Sequence, residues 1–416
     1  MVEKITKCRI CGNTNLLPII NLGVQALTGV FPKRTDEKIQ SGPLELVKCE
    51  GDNCCNLLQL RHTFDLDEMY GFNYGYRSGL NISMLKHLKN IYDDLANFVS
   101  LEKDDLIIDI GSNDGTFLKF FETDKYTLAG IDPTIKKFKN YYPDSIVKIT
   151  DFFSALKIKS YFGDRKAKIV TSFAMFYDLL FPLKFVQDIE SILSDDGIWV
   201  FEQSYMPYML QNTAYDTICH EHFEYYGINQ IKWMVDRAGL KIIDVELNDT
   251  NGGSFKLVVA KNKNTHCQCV AKINKLLTFE NAMGLHTFAP YEKFKKQVFE
   301  HRDKLIAKIE EIRSENKTLF GYGASTKGNV ILQFCGFTKE NIQCIAEVNQ
   351  DKFGAFTPAT NIPIISEIQA KEMKPDYFLV LPWHFRDNII MREKEIINSG
   401  TKFIFPLPAI EVVDHV

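Results

Sequence analysis

Short apolar runs alternate with stretches of helical spacing through most of the chain. Between residues 71 and 265 the runs are DLIIDI (105–110), TLAGID (127–132), SIVKIT (145–150), AKIVTS (167–172), GIWVFE (197–202), LKIIDV (240–245) and FKLVVA (255–260). Apolar runs of this length, bounded by helical patterns, predict strands of a mostly parallel sheet with helices on both faces. The last two runs lie close together, as a closing pair would.

The alternation returns between residues 315 and 416, in KTLFGYG (317–323), IQCIAEV (342–348), YFLVLP (377–382) and KFIFPLP (402–408). It predicts a second, smaller Rossmann-like unit. Residues 266–314 carry helical spacing, clearest in YEKFKKQVFEHRDKLIAKIEEIRSE (291–315), and predict a helical bridge. Residues 1–70 form a separate lobe too small to build much core of its own. The fold class is therefore α/β, with two doubly wound units and an N-terminal lobe.

Composition narrows the function. The 416 residues carry a formal net charge of -4, which argues against nucleic acid or an anionic membrane as partner. No apolar run approaches the roughly 18–20 residues of a membrane span. The opening MVEKITKCRICGN lacks the apolar centre of a signal peptide, so a cytoplasmic location is expected.

Five of the ten cysteines, Cys8, Cys11, Cys49, Cys54 and Cys55, fall in the first 55 residues. In a reducing compartment this clustering favours a metal over disulfides. KCRICGN reads as one half of a structural zinc site, and KCEGDNCCN as the other. Within the second half, Cys49 pairs with either Cys54 or Cys55, and the spacing does not choose. A zinc ion would supply much of this lobe's folding free energy.

The segment LIIDIGSNDGTFLKFF (106–121) places a buried strand, a glycine loop and a helix in succession. Gly111 and Gly115 allow a tight turn and close approach to a ligand, flanking Ser112 and Asn113. The loop has no G-x-G-x-x-G spacing. It carries Asp109 and Asp114 instead, and two carboxylates disfavour a pyrophosphate and favour a cationic ligand. S-adenosylmethionine, with its sulfonium and ammonium groups, fits. Asp132 ends the next strand, where a carboxylate accepts both ribose hydroxyls; the plainer reading is a cap before Pro133. Asp151 follows the third strand and would take the adenine amino group, with Phe152 against the ring.

CHEHFEYY (219–226) sets two histidines around a glutamate. On an extended segment His220 and His222 share a face and Glu221 points away. On a helix they diverge, so this is not the helical zinc pair. An imidazole with a pKa of about 6.5 suits a general base near neutral pH. YGFNYGYRSG (70–79) alternates Tyr74, Tyr76 and Ser78 and is the candidate for stabilising an oxyanion, Tyr76 first. An aromatic linker is the plainer reading.

GYGASTKGN (321–329) follows a strand and opens a helix. Backbone N–H groups of Ala324 to Thr326, including Ser325, would face an anion, with Lys327 adding charge and Asn329 nearby. The spacing suits a nucleoside diphosphate better than NAD. Glu347 ends the next strand and is placed to take a ribose hydroxyl. Trp383 and His384 follow a third strand end, in the crevice where such sheets bind ligands.

On these segments the chain resembles the S-adenosylmethionine-dependent C-methyltransferases that act on nucleotide-linked 4-keto-6-deoxy sugars. The likeness runs through the N-terminal cysteines, DIGSNDGTFL, YDTICHEHFEYY, GYGASTKGN, TPATNIPI and LPWHF. It implies a zinc-binding lobe, a class I methyltransferase domain and a C-terminal domain that helps hold the nucleotide sugar. It also implies Cys55 as the fourth zinc ligand, His222 as base, and Glu221 orienting the sugar or the imidazole. Tyr76 and Tyr74 would lie around cofactor and sugar, Asn251 would reach the sugar, and carbon 3 would be methylated. His220 has a structural reading beside the catalytic one. Three segments depart from the family: Cys54-Cys55-Asn56-Leu57 stands where members often have C-x-x-C-G-L, Cys219 stands where some have tyrosine, and TSFAMFYDLLFP (171–182) lacks their histidines. The expected assembly is a monomer or homodimer. The competing readings are O- or N-methylation of a nucleotide sugar, a non-catalytic sugar-nucleotide binder, and an RNA methyltransferase, for which no basic run is present.

Overall fold

The computed structural model describes residues 2–65, 69 and 76–416. Each of the seven runs between residues 105 and 260 forms a strand, and the seven make one sheet. Across it the order is Leu240–Asn248, Ser254–Lys261, Leu193–Ser204, Ala167–Phe173, Leu106–Ile110, Thr127–Ile131 and Val147–Ile149. Numbered along the chain this is 6-7-5-4-1-2-3, and only the pairings of the seventh strand are antiparallel. Ile107, Ile108, Val170, Ile198, Trp199, Phe201 and Leu257 are all fully buried, because helices cover both faces. The strand order reverses between Leu106–Ile110 and Ala167–Phe173, so the crevice that takes a ligand opens above those two strands.

The C-terminal sheet has six strands, ordered Ile364–Ser366, Ile345–Glu347, Leu319–Tyr322, Tyr377–Val380, Lys402–Phe405 and Glu411–Val413. Numbered along the chain it is 3-2-1-4-5-6, the doubly wound order, with an antiparallel last strand. The two edge strands were not visible as apolar runs. Each is three residues long, and the first is preceded by Pro363 in a turn-rich stretch.

The N-terminal lobe is a four-stranded antiparallel sheet, and its edge strand comes from far along the chain. Glu224–Tyr225 pairs with Leu58–Leu60, which pairs with Ser41–Cys49 and then Leu16–Ala26. Helices Val270–Ala282 and Ala289–Ser314 follow the seven-stranded sheet. The longer one buries Phe294, Val298, Leu305, Ile309 and Ile312, a single stripe at helical spacing. That stripe joins N-terminal lobe and C-terminal sheet in one continuous apolar core.

Candidate active site

A cavity of about 450 Å³ opens at the reversal point of the seven-stranded sheet. Gly111, Ser112 and Asn113 form its floor, and Asp109, Asp132, Asp151 and Phe152 line the same wall. Gly111 and Gly115 both have φ of +71°, the left-handed region that only glycine enters without strain. A side chain at Gly115 would strike the ring of Tyr142, whose hydroxyl bonds Ser112 Oγ at 2.8 Å and the Asn113 carbonyl at 2.9 Å. Among the described residues the lining carries six carboxylates, Asp109, Asp132, Asp151, Asp178, Asp188 and Glu202, against Lys184, which is itself bonded to Asp188. That balance suits a cation and opposes a pyrophosphate.

Two of the carboxylates are held from below. Thr171 donates its hydroxyl to Asp109 Oδ1 at 2.6 Å, and burial pushes the Asp109 pKa up to about 7. Asp132 accepts from the Asn113 N–H at 2.9 Å and from the N–H and hydroxyl of Thr134, both at 2.6 Å. It is therefore both a cap and a cavity wall. A carboxylate offers about four acceptor positions, so Asp132 retains room for one ribose hydroxyl in this arrangement rather than both. Asp151 is paired with Lys157, and Phe152 lies at the rim, about a third exposed.

The loop's other polar groups turn away from the cavity floor. Asn113 Oδ1 accepts from Ser78 N–H at 3.0 Å, and its amide donates to the Tyr76 carbonyl at 3.2 Å. Asp114 accepts from Gly79 N–H at 3.2 Å and from Thr116, with Arg77 Nε at 3.7 Å. The side chains of Asn113 and Asp114 thus clamp segment 76–79 over the loop, while Asn113 remains among the residues that line the cavity. Tyr76 lines the cavity with its side chain part-exposed; Tyr74 lies outside the described residues.

CHEHFEYY is not extended at its histidines. The His222 N–H bonds back to the Cys219 carbonyl at 3.2 Å, closing a turn that sends the two imidazoles apart. His220 is fully buried against the N-terminal lobe, edge-on to Phe64 at 4.5 Å, and burial lowers its pKa to about 4. His222 packs against Tyr177, ring centroids 4.2 Å apart with the planes tilted by 56°, and hydrogen-bonds the Thr217 carbonyl through Nδ1 at 2.9 Å. Burial, then the charge of Lys327, lowers its pKa to about 3. Together with Tyr177 it borders a small void of about 10 Å³. The next residue, Asp178, lines the large cavity. Glu221 faces Thr28, whose hydroxyl is 3.5 Å from Oε2, and fills the space above Gly29, where any side chain would collide with it. Tyr225 and Tyr226 are buried in the packing.

The C-terminal crevice adjoins this turn. Trp383 donates its indole N–H to Asp216 Oδ2 at 2.7 Å, and Lys327 Nζ donates to the Asn251 carbonyl at 2.9 Å. Asn251 lines the large cavity in a left-handed conformation, φ +55°. His384 is packed between Trp383 and Phe385. The glycine loop here does not offer all its N–H groups to an anion. Ala324 N–H is taken by Glu347 Oε2 at 2.9 Å, and Ser325 Oγ caps the helix by accepting from Gly328 N–H at 3.0 Å. Glu347 Oε1 accepts from Val348 and Asn349, so its carboxylate holds the loop. Asn329 is fully buried and donates to the Thr28 carbonyl at 2.7 Å, a tie to the N-terminal lobe rather than a ligand contact.

In the lobe, the thiols of Cys8, Cys11, Cys49 and Cys55 lie within 4.8 Å of one another. Cys8 and Cys55 are 3.4 Å apart, and Cys11 and Cys49 3.5 Å. Zinc bonds of about 2.3 Å imply a tetrahedral S···S edge of about 3.8 Å, so the four thiolates fit a structural zinc ion. Cys54 turns away, its sulfur 3.6 Å from the Cys49 carbonyl and from Asn56 Oδ1.

Three family models tile the chain: a zinc binding domain over residues 8–70, a methyltransferase domain over 84–245, and a C-methyltransferase C-terminal domain over 249–408. The C-methyltransferase NovU of Streptomyces niveus is 28% identical over 419 residues, spanning 99% of this chain and 98% of its own. Part for part, the chain is similar to C-methyltransferases of this three-part build. It is a methyltransferase that uses S-adenosylmethionine, and zinc belongs in its thiolate cluster. Among solved structures, the PH0226 protein of Pyrococcus horikoshii is 13% identical, covering 45% of this chain and 95% of its own, with a TM-score of 0.37. The CcbJ methyltransferase of Streptomyces caelestis is 11% identical, covering 42% and 89%, with a TM-score of 0.34.

Several groups of the methyltransferase site escaped the sequence reading. Glu202 lies near the carboxyl end of the fifth strand of the large sheet and lines the cavity, bonded to His87 Nε2 and to Asn248 Nδ2, both at 2.7 Å. A carboxylate at the carboxyl end of a buried strand is a legible signal; His87, on helix Ile82–Asp94, has none. Asp216 stood inside the quoted motif but had no visible partner, since Trp383 is 167 residues away.

Proposed function

We propose that this enzyme methylates a nucleotide-linked 4-keto-6-deoxy sugar on the carbon beside the ketone. The observation that carries the reading is the hydrogen bond from His222 Nδ1 to the Thr217 carbonyl. A carbonyl only accepts, so Nδ1 holds the proton and Nε2 keeps its lone pair. An imidazole fixed in that tautomer is equipped to remove a hydrogen alpha to a ketone. Bound S-adenosylmethionine supplies the electrophilic methyl that the resulting enolate carbon takes.

The other residues serve binding and charge. Lys327 spends one of its three N–H groups on Asn251 and keeps two for a phosphate oxygen of the nucleotide. Its charge depresses the His222 pKa in the free protein. A diphosphate beside Lys327 would offset that charge and raise the base toward its working range. Tyr76 lines the cavity and in this reading would donate its hydroxyl to the enolate oxygen.

The test is incubation with S-adenosylmethionine and a panel of nucleotide-linked 4-keto-6-deoxy sugars, with mass spectrometry and NMR of the product. A new methyl on the carbon next to the ketone is expected. A methyl on oxygen or nitrogen, or no transfer to any sugar of the panel despite cofactor binding, would overturn the reading.

A further inference from the structure

Arg9 sits inside the zinc knuckle, between the ligands Cys8 and Cys11, yet its side chain leaves the metal and is 4% exposed. Nη1 donates to the Leu60 carbonyl at 2.5 Å, and Nη2 to Thr63 Oγ1 at 2.9 Å and the His62 carbonyl at 3.3 Å. The backbone N–H bonds Gln59 Oε1 at 3.1 Å. Nε then faces Glu224 Oε1 at 3.7 Å, and the guanidinium lies over the Phe223 ring at 5.0 Å.

Those last two residues follow His222 directly. They are also where the base-bearing segment joins the lobe's sheet: Leu60 N–H bonds the Phe223 carbonyl at 2.8 Å, and Glu224 is paired with Gln59. One planar cation therefore grips both strands at their junction. The Glu224 carboxyl is buried, and a buried carboxyl needs a positive partner fixed in place. The fork-shaped guanidinium serves several acceptors at once, which an ammonium cannot do in the same geometry.

We infer that Arg9 is a positioning residue for methyl transfer, carrying the geometry of the thiolate knuckle through Phe223 and Glu224 to the imidazole of His222. The inference rests on the reading of His222 as base. The zinc lobe is then part of the catalytic frame as well as a folding unit.

The experiment compares Arg9→Lys, Glu224→Gln, their combination and His222→Asn as full-length zinc-loaded proteins. Readouts are zinc content, S-adenosylmethionine affinity, kcat, substrate KM and amide hydrogen exchange over residues 219–226. Arg9→Lys and Glu224→Gln are each expected to lower kcat at least tenfold, with KM and cofactor affinity within twofold and one zinc per chain. Exchange over 219–226 should speed up in both, and the combination should be no worse than the poorer single variant, as for residues acting through one contact. Wild-type kcat in Glu224→Gln, which touches no thiolate, overturns the inference, as does full additivity of the two changes. Wild-type kcat in His222→Asn instead removes the base reading, so the two failures are distinct.

Discussion

Trp383 and Asp216 meet across the domain boundary, indole N–H to carboxylate at 2.7 Å, with both side chains buried. The bond ties the C-terminal crevice to the turn that carries His222. Replacing Trp383 by Phe removes the donor and strands the Asp216 carboxyl, a cost of about 1–3 kcal/mol. Thermal unfolding of Trp383→Phe should begin at lower temperature than wild type, and Asp216→Asn, which keeps an acceptor oxygen for the indole, should lose less.

His222→Asn should abolish methyl transfer, by about 10²–10⁴-fold, and leave cofactor binding intact. Isothermal titration with S-adenosylmethionine beside a turnover assay separates the two.

The base also predicts a pH pattern. A base works only when unprotonated, so activity is lost as pH falls through the His222 pKa. Burial and Lys327 hold that pKa down in the free protein, and a substrate phosphate beside Lys327 would raise it. The acid limb of kcat, which reports the bound enzyme, should therefore lie at higher pH than the His222 limb of the free enzyme. In Lys327→Met the gap between them should shrink.

Asp109 makes cofactor affinity pH-dependent near neutrality. Its pKa in the free protein is about 7, raised by burial. A cation favours the ionised form, so below pH 7 a proton must leave on binding. Affinity for S-adenosylmethionine should weaken by up to about tenfold per pH unit below 7 and stay flat above it. Asp109→Asn should remove the slope.

Elemental analysis should find about one zinc per chain. Cys55→Ser should lose it and unfold the lobe, while Cys54→Ser should keep it, because only the Cys55 sulfur joins the cluster.

Much of this was legible in the chain. Buried strands such as LIIDI and WVFE declare themselves because both faces are covered and the apolar run is unbroken. The thiolate quartet was legible by residue type, while the choice of Cys55 over Cys54 came with the family resemblance. What spacing did not give is direction. Asn113 and Asp114 sit in a ligand-binding loop but spend their side chains on segment 76–79. Glu347 fills from within a place that the loop pattern assigns to an anion. The histidines of CHEHFEYY diverge because a turn, not a strand, precedes Phe223. Each of these depends on a partner distant in sequence, and periodicity carries no information about such partners.

The edge strand Glu224–Tyr225 has one more consequence, for how the protein is made. Synthesis runs from the N-terminus, and early segments fold as they emerge. The metal lobe's sheet cannot close when its own 70 residues are out. Its strand Leu58–Leu60 keeps an open side until residue 225 has been added, some 160 residues later. Throughout that interval the nascent lobe presents an unpaired strand edge, the feature that invites association with other chains. The late arrival of the strand that follows His222 closes that edge, after five of the seven strands of the large sheet have been synthesised.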